Sequence, residues 1–126
     1  MTAFATNGLA RAHHTWSTAT PAPGARQILL VNLMPTKEAT ELQFLRFLDA
    51  TGVNCDVTFA YPASHQLHHQ RAAVLKHYLP LDRLWGTRFD ALIVTGAPVE
   101  ELSFDQVDYW TEFRRLVAWS KKIGRA

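Results

Sequence analysis

The run Gln27-Ile28-Leu29-Leu30-Val31-Asn32-Leu33-Met34 narrows the choice of fold more than any other stretch. It is an apolar run of strand length, the pattern of a strand covered on both faces, and such strands belong to parallel sheets flanked by helices. Pro35 ends it, and from Thr36 the apolar period becomes helical. Leu42, Leu45, Phe47 and Leu48, flanked by Phe44, form one face, with Lys37, Glu38, Glu41, Gln43, Arg46 and Asp49 on the other. Gly52 supplies a C-terminal stop. Val53 to Tyr61 then alternates apolar and polar residues and reads as a second strand, nearer a sheet edge. A right-handed crossover makes the two strands parallel.

A third strand is expected at Ala91-Leu92-Ile93-Val94, ending abruptly in Thr95-Gly96-Ala97-Pro98. A loop with the adjacent carboxylates Glu100 and Glu101 follows. The spacing of Val107, Trp110, Phe113, Leu116 and Val117 predicts an amphipathic helix over 105–122, with Asp105 and Asp108 in its first turn and Lys121 and Lys122 near its end. Between the second and third strands lie a polar stretch from Pro62 to Gln70, a modest helix from Gln70 to about Tyr78 and a short helical turn over 80–85. Residues 1–25, rich in Ala, Thr, Pro and Gly and without a sustained period, read as an N-terminal arm or linker, and 26–126 as one α/β unit. The expected architecture is an open parallel sheet of about three strands with flanking helices. Open α/β sheets usually carry five or more strands, so the chain reads as truncated, or as finished by a partner.

Composition removes several function classes. Thirteen basic against eleven acidic residues leave a formal charge of +2 with no basic run, which gives nucleic acid no footprint. One cysteine, Cys55, excludes an internal disulfide and a multi-cysteine zinc site. No apolar run approaches the roughly 18 residues of a membrane span, and no secretory signal precedes the first strand, so a cytoplasmic location is expected. With 48% hydrophobic residues the chain can bury a core of ordinary proportions.

Few residues offer chemistry on their own. Cys55 lies inside a strand between Asn54 and Asp56, where a structural thiol is the better reading than a nucleophile. His65, His68 and His69 have spacings that would suit a metal pair on a helix, but without a further ligand a solvated polar loop is favoured and no metal is expected. Gly96 permits close approach of backbone amides at a strand end, the raw material of an oxyanion hole, and equally permits a simple terminating turn. Glu100 and Glu101 read as a solvated acidic loop or as the mouth of a pocket.

Five pieces of the sequence agree with one family. Asn32-Leu33-Met34-Pro35-Thr36-Lys37, Thr40-Glu41, Gln43-Phe44-Leu45-Arg46, the stretch from Phe89 to Pro98, and Val107-Asp108-Tyr109-Trp110 with Trp119-Ser120-Lys121 resemble, in order and spacing, the N-terminal half of the homoserine O-acyltransferases. These are the O-succinyl- and O-acetyltransferases of methionine biosynthesis, built on the flavodoxin-like, class I glutamine amidotransferase-like fold. The resemblance implies a ping-pong transfer of an acyl group from acetyl-CoA or succinyl-CoA to a cysteine and then to the homoserine hydroxyl, with a His-Glu pair assisting and no bound cofactor. Neither that cysteine nor the pair has a match here, so no catalytic residue is assigned and the chain alone is expected to be inactive.

Four positions and a lysine carry over from the resemblance. Gly96, Ala97 and Pro98 match the turn that faces the nucleophile and form the oxyanion or pocket wall. Glu100 matches the position that selects the acyl donor, where glutamate goes with acetyl-CoA and glycine with succinyl-CoA; a carboxylate there repels the succinyl carboxylate and fills its space. Lys37 matches the second of two lysines after Met-Pro, Thr36 replacing the first, and is a candidate contact for substrate or CoA. A homodimer without nucleic-acid or membrane partners is the expected assembly. The alternatives are a non-catalytic dimerisation or regulatory half-domain of the same fold, and a relative acting on the serine hydroxyl.

Overall fold

The computed structural model describes residues 1–62, 71–95 and 118. Among them are strands β1 (Ala3–Ala5), β2 (Arg26–Val31), β3 (Cys55–Tyr61), β4 (Leu79–Pro80) and β5 (Ala91–Val94). The helices are α1 (Leu9–Ala12), α2 (Lys37–Ala50) and α3 (Arg71–His77), with a 3-10 turn at Leu81–Arg83. The strands form one open, wholly parallel sheet in the order β1-β3-β2-β5, β4 pairing with β3 off that path. The open α/β class expected from the sequence therefore holds, with five strands rather than about three. Within it β3-β2-β5 repeats the 2-1-3 order at the heart of flavodoxin-like sheets.

Alternation along the central strands sorts two cores. Ile28 and Leu30 of β2, with Cys55, Val57 and Phe59 of β3, face Leu9 and Ala10 of α1, Leu45 of α2, Val74 of α3 and Tyr78. Leu29 and Val31 of β2, with Ala60 of β3, face Leu81, Leu84 and Phe89 on the opposite side. A strand buried on both faces must be apolar at successive positions, and β2 is. The helices after β2 and β3 cover the first face, and the 81–89 connection to β5 crosses the second, as right-handed crossovers in opposite directions require.

The N-terminal stretch departs most from the sequence reading. Residues expected as an arm contribute β1 and α1, both built into the sheet and the first core. Ala3 and Ala5 are fully or almost fully buried, and β1 pairs Ala3 with Cys55 and Ala5 with Val57. A three-residue strand and a four-residue helix are too short to show a period, so the pattern rule had nothing to register. Consequently β3 is an interior strand, not one near an edge. β1 runs beside its first half and β4 beside its end, and between them the Asn7 amide imitates a strand, donating to the Phe59 carbonyl at 2.9 Å and accepting from the Phe59 N–H at 2.8 Å.

Three of the outward backbone groups of β1 are closed by side chains. Cys55 N–H donates to Thr2 O and Thr6 N–H to Val57 O, so the backbone groups of Ala3 and Ala5 point away from β3. Asp49 accepts from Ala3 N–H at 3.0 Å, the Trp16 indole donates to Ala3 O at 3.0 Å, and Arg11 donates to Ala5 O at 3.0 Å. Beyond α1, Thr15 donates to the Glu38 carboxylate of α2 at 2.7 Å and the His13 ring joins the same carboxylate.

Helix α2 also faces the core differently from its apolar pattern. Lys37, Thr40, Glu41 and Leu45 are its buried residues, whereas Phe47, expected inside, is 68% exposed. The stripe 37-41-45 runs at steps of four along one helix face, so two charged residues point inward with a leucine. Leu42, Phe44 and Leu48 pack beside that stripe, half-buried. Strand β2 ends at Val31, three residues short of the apolar run, because Asn32 turns the chain: its side-chain carbonyl accepts from Met34 N–H and its amide donates to Lys37 O. Gly52, at φ +76, ends α2 as expected.

Candidate functional site

In an open α/β sheet the crevice for a ligand opens where successive connections leave a pair of strands in opposite directions, at their carboxyl ends. Here that pair is β2 and β5. From β2 the chain goes to β3 over one face, and it returns across the other face to β5 on the far side of β2. The turn Asn32–Lys37 leaves β2 at this point, and Thr95 leaves β5 beside it.

Thr95 ties the two strand ends together. Its N–H donates to Val31 O at 3.1 Å, and its hydroxyl accepts from Leu33 N–H at 2.8 Å. This fixes where the chain departs toward Gly96. The positions Gly96, Ala97, Pro98, Glu100 and Glu101, together with the histidines 65, 68 and 69 and the 105–122 stretch, lie outside the described residues.

Lys37 is inside the described residues, and its setting is unusual. The side chain is 3% exposed and its ammonium donates to Asn32 O at 2.9 Å. As the first residue of α2 it places a buried cation at the positive pole of a helix, where anions are favoured. Burial pushes its pKa down to about 8, a loss only partly offset by the attraction of Glu41 one turn away. A residue set against desolvation and the helix dipole together is the kind of local conflict found at functional sites.

Glu41 is fully buried. Its carboxylate accepts from Leu9 N–H at 3.0 Å and Ala10 N–H at 2.8 Å, the free amides at the start of α1, and from the Tyr78 hydroxyl at 2.7 Å. Desolvation nonetheless holds its pKa above the ordinary carboxylate range. Tyr78 in turn accepts from the Asn32 amide at 2.8 Å, and burial with Glu41 beside it drives the phenol pKa far up. A polar chain thus runs from α1 through Glu41, Tyr78 and Asn32 to Lys37, wholly inside the carboxyl edge of the sheet. Three donors leave Glu41 committed to structure.

Asn32, Glu41, Tyr78 and Thr95 were not singled out by sequence reasoning as site residues. Asn32 left one trace, a polar residue interrupting an apolar run; Tyr78, at the end of a modest helix, left none. Cys55 is fully buried between β1 and β2, and desolvation with Asp49 and Asp56 nearby raises its pKa, the opposite of an activated thiol. Among the described residues no group of three or more His, Cys, Asp or Glu side chains could hold a metal ion, and no helix is long and apolar enough to cross a membrane.

Comparison with known proteins adds to this geometry. A family model described as homoserine O-succinyltransferase matches residues 15–124. A homoserine O-acetyltransferase of Leuconostoc mesenteroides subsp. mesenteroides is 49% identical over 94 residues, covering 75% of this chain and 31% of the relative. Homoserine O-acetyltransferases of Streptococcus thermophilus (46% over 97 residues, 76% and 31% covered) and Desulfitobacterium hafniense (38% over 95 residues, 75% and 31% covered) are similar across the same share. The chain spans about a third of the length of the curated relatives it matches.

Proposed function

The chain belongs to the homoserine O-succinyltransferase family, and from that premise we propose that it supplies one wall of an acyl-transfer site that passes an acetyl group from acetyl-CoA to the homoserine hydroxyl. The observation that carries the reading is the buried Lys37 at the carboxyl ends of β2 and β5, beside the point where the chain turns toward Gly96. Among the described residues, one of the three N–H donors on the ammonium is engaged, with Asn32 O. A cation held at a strand end suits a carbonyl or carboxylate oxygen of a bound acyl group, or a CoA phosphate. In this reading Gly96, Ala97 and Pro98 line the oxyanion side and Glu100 selects the donor, its carboxylate refusing a succinyl group. The names of the relatives, O-acetyltransferases, support acetyl-CoA over succinyl-CoA. A small-molecule acceptor, a homodimer and a cytoplasmic location complete the reading.

The test compares donors. In the acyl-transferring protein that carries this sequence, release of CoA thiol is followed with acetyl-CoA and with succinyl-CoA in the presence of homoserine. Glu100→Gly is expected to shift the ratio of kcat/KM toward succinyl-CoA by tenfold or more, on the order of the cost of a misplaced charge pair. An unchanged ratio removes Glu100 from donor selection. The 126-residue chain assayed by itself is expected to release no CoA thiol above background, because its sole thiol is sealed between strands. Turnover that survives Cys55→Ser would place the nucleophile elsewhere than a thiol.

A further inference from the structure

The Tyr78 hydroxyl is used in both directions. A carboxylate only accepts and an amide NH2 only donates, so the chain Asn32 to Tyr78 to Glu41 has one possible polarity. The phenol gives its single proton to Glu41 at 2.7 Å and takes one from Asn32 at 2.8 Å. Apart from its main-chain N–H, which donates to Ala60 O of β3 at 3.1 Å, Asn32 directs its polar groups to the turn that follows β2. Its amide also reaches Lys37 O at 3.2 Å, its side-chain carbonyl takes Met34 N–H at 3.1 Å, and its main-chain carbonyl receives the Lys37 ammonium at 2.9 Å. The two hydrogen bonds that Lys37 makes to this turn, through its ammonium and its main-chain carbonyl, thus both go to a residue oriented by Tyr78. The far end of the relay is α1, whose first amides grip the other side of Glu41.

We propose that Tyr78 is a positioning residue: through Asn32 its hydroxyl sets the place and the dryness of the Lys37 ammonium at the carboxyl edge of the sheet. The proposal rests on the reading of Lys37 as an acyl-donor contact for its functional meaning, and on the hydrogen bonds alone for its structural content. Tyr78→Phe separates the hydroxyl from the ring. The ring stays packed against Phe59, centroids 5.8 Å apart, and in the first core. Glu41 keeps its two backbone donors, while the Asn32 amide loses an acceptor. Among the described residues the titratable group that acts on Lys37 is Glu41, itself bonded to Tyr78.

The experiment uses the 126-residue chain labelled with 13Cε-lysine, the Lys37 signal being assigned by its loss in Lys37→Arg. In the parent protein that signal is expected to titrate near pH 8. In Tyr78→Phe, with circular dichroism unchanged, it is expected to titrate at higher pH, toward the ordinary lysine value, as water enters the turn. A Lys37 titration identical to the parent overturns the proposal. Should Tyr78→Phe fail to fold, 3-fluorotyrosine incorporated throughout keeps the shape and makes the hydroxyl a poorer acceptor toward Asn32. A moved Lys37 signal then supports the proposal and an unmoved one overturns it. Adding acetyl-CoA to the acyl-transferring protein that carries this sequence, labelled in the same way, keeps the two readings apart: a Lys37 signal that answers to Tyr78→Phe but not to acetyl-CoA keeps the positioning role and removes the acyl-donor contact.

Discussion

Two charged residues on one turn of α2 are held in the buried interior, each with its pKa shifted by desolvation. Lys37 and Glu41 sit four apart among residues that the sequence assigned to the solvent face, the usual meaning of such a pair. What the pattern lacked was knowledge of their partners. Asn32, Tyr78 and the start of α1 meet these residues only after folding, and only Asn32 is close in sequence. The pH dependence follows from the pKa shifts. Lys37 falls to about 8 in the fold from an ordinary 10.5, so between those values the unfolded chain holds more protons and stability rises with pH. The contribution is complete above 10.5 and lost as pH falls through about 8. Glu41, raised in the fold, acts in the opposite sense: its contribution is complete below the ordinary carboxylate value and is lost as pH rises through the folded one. Lys37→Met is therefore expected to raise stability at pH 7 by roughly 1–3 kcal/mol, since a buried ammonium is exchanged for an apolar chain of similar length. It should also flatten the rise in urea midpoint between pH 8 and 10.5. A drop in stability at pH 7 would mean that the attraction to Glu41 outweighs desolvation.

At the level of elements, β1 and α1 show how a segment without periodicity becomes part of a core. Its cohesion comes from single residues aimed at particular partners: Asn7 at Phe59 and Gly8 at Glu41 farther along the chain, and Trp16 and Arg11 at the outward carbonyls of β1 within the segment. Gly8 lies at φ +103, where L side chains are strained, and a Cβ there would stand 2.8 Å from Glu41 Oε1 and from the Phe59 ring. Gly8→Ala is expected to cost on the order of 2–4 kcal/mol, read as a lowered urea midpoint, with loss of exchange protection at Leu9 and Ala10. Protection retained at both amides would show that α1 docks without the close approach. The closed carbonyls of β1 invite a second test. An edge strand left open is a template for pairing with another chain, so Trp16→Phe combined with Arg11→Ala is expected to bring concentration-dependent self-association by sedimentation. A monodisperse double variant would show that the edge is protected by something other than these two donors. The apolar run of β2, the helical period of α2 and the stop at Gly52 were legible because each is a local pattern; Asn7, Gly8 and Trp16 were not, because nothing local marks a residue as a plug.

For the molecule as a whole, the parallel α/β class could be read from β2 alone, since only a strand covered on two sides needs apolar residues at successive positions. The strand order and the two cores required the connections, which the sequence showed only between β2 and β3. Site residues divided along the same line. Lys37 was reached by family resemblance, whereas its confinement came from packing. Cys55 offers a measure of global cohesion, because it lies fully buried at the start of β3 with β1 on one side and β2 on the other. Modification by a thiol reagent is expected to be slow in the native protein, and its urea dependence should match the slope of global unfolding. A distinctly shallower slope would reveal β1 lifting away by itself.

The pairing of β1 with β3 also carries a consequence for biosynthesis. On the ribosome β1 emerges before β2, yet its partner residues, Cys55 to Val57, are made after α2 is complete. The β2-α2-β3 unit can close while β1 waits, and the β1 segment must stay out of wrong pairings for that interval. Its short strand, small alanines and flanking glycine give such a segment little to stick with before the carboxylates of Asp49 and Glu41 arrive to receive it.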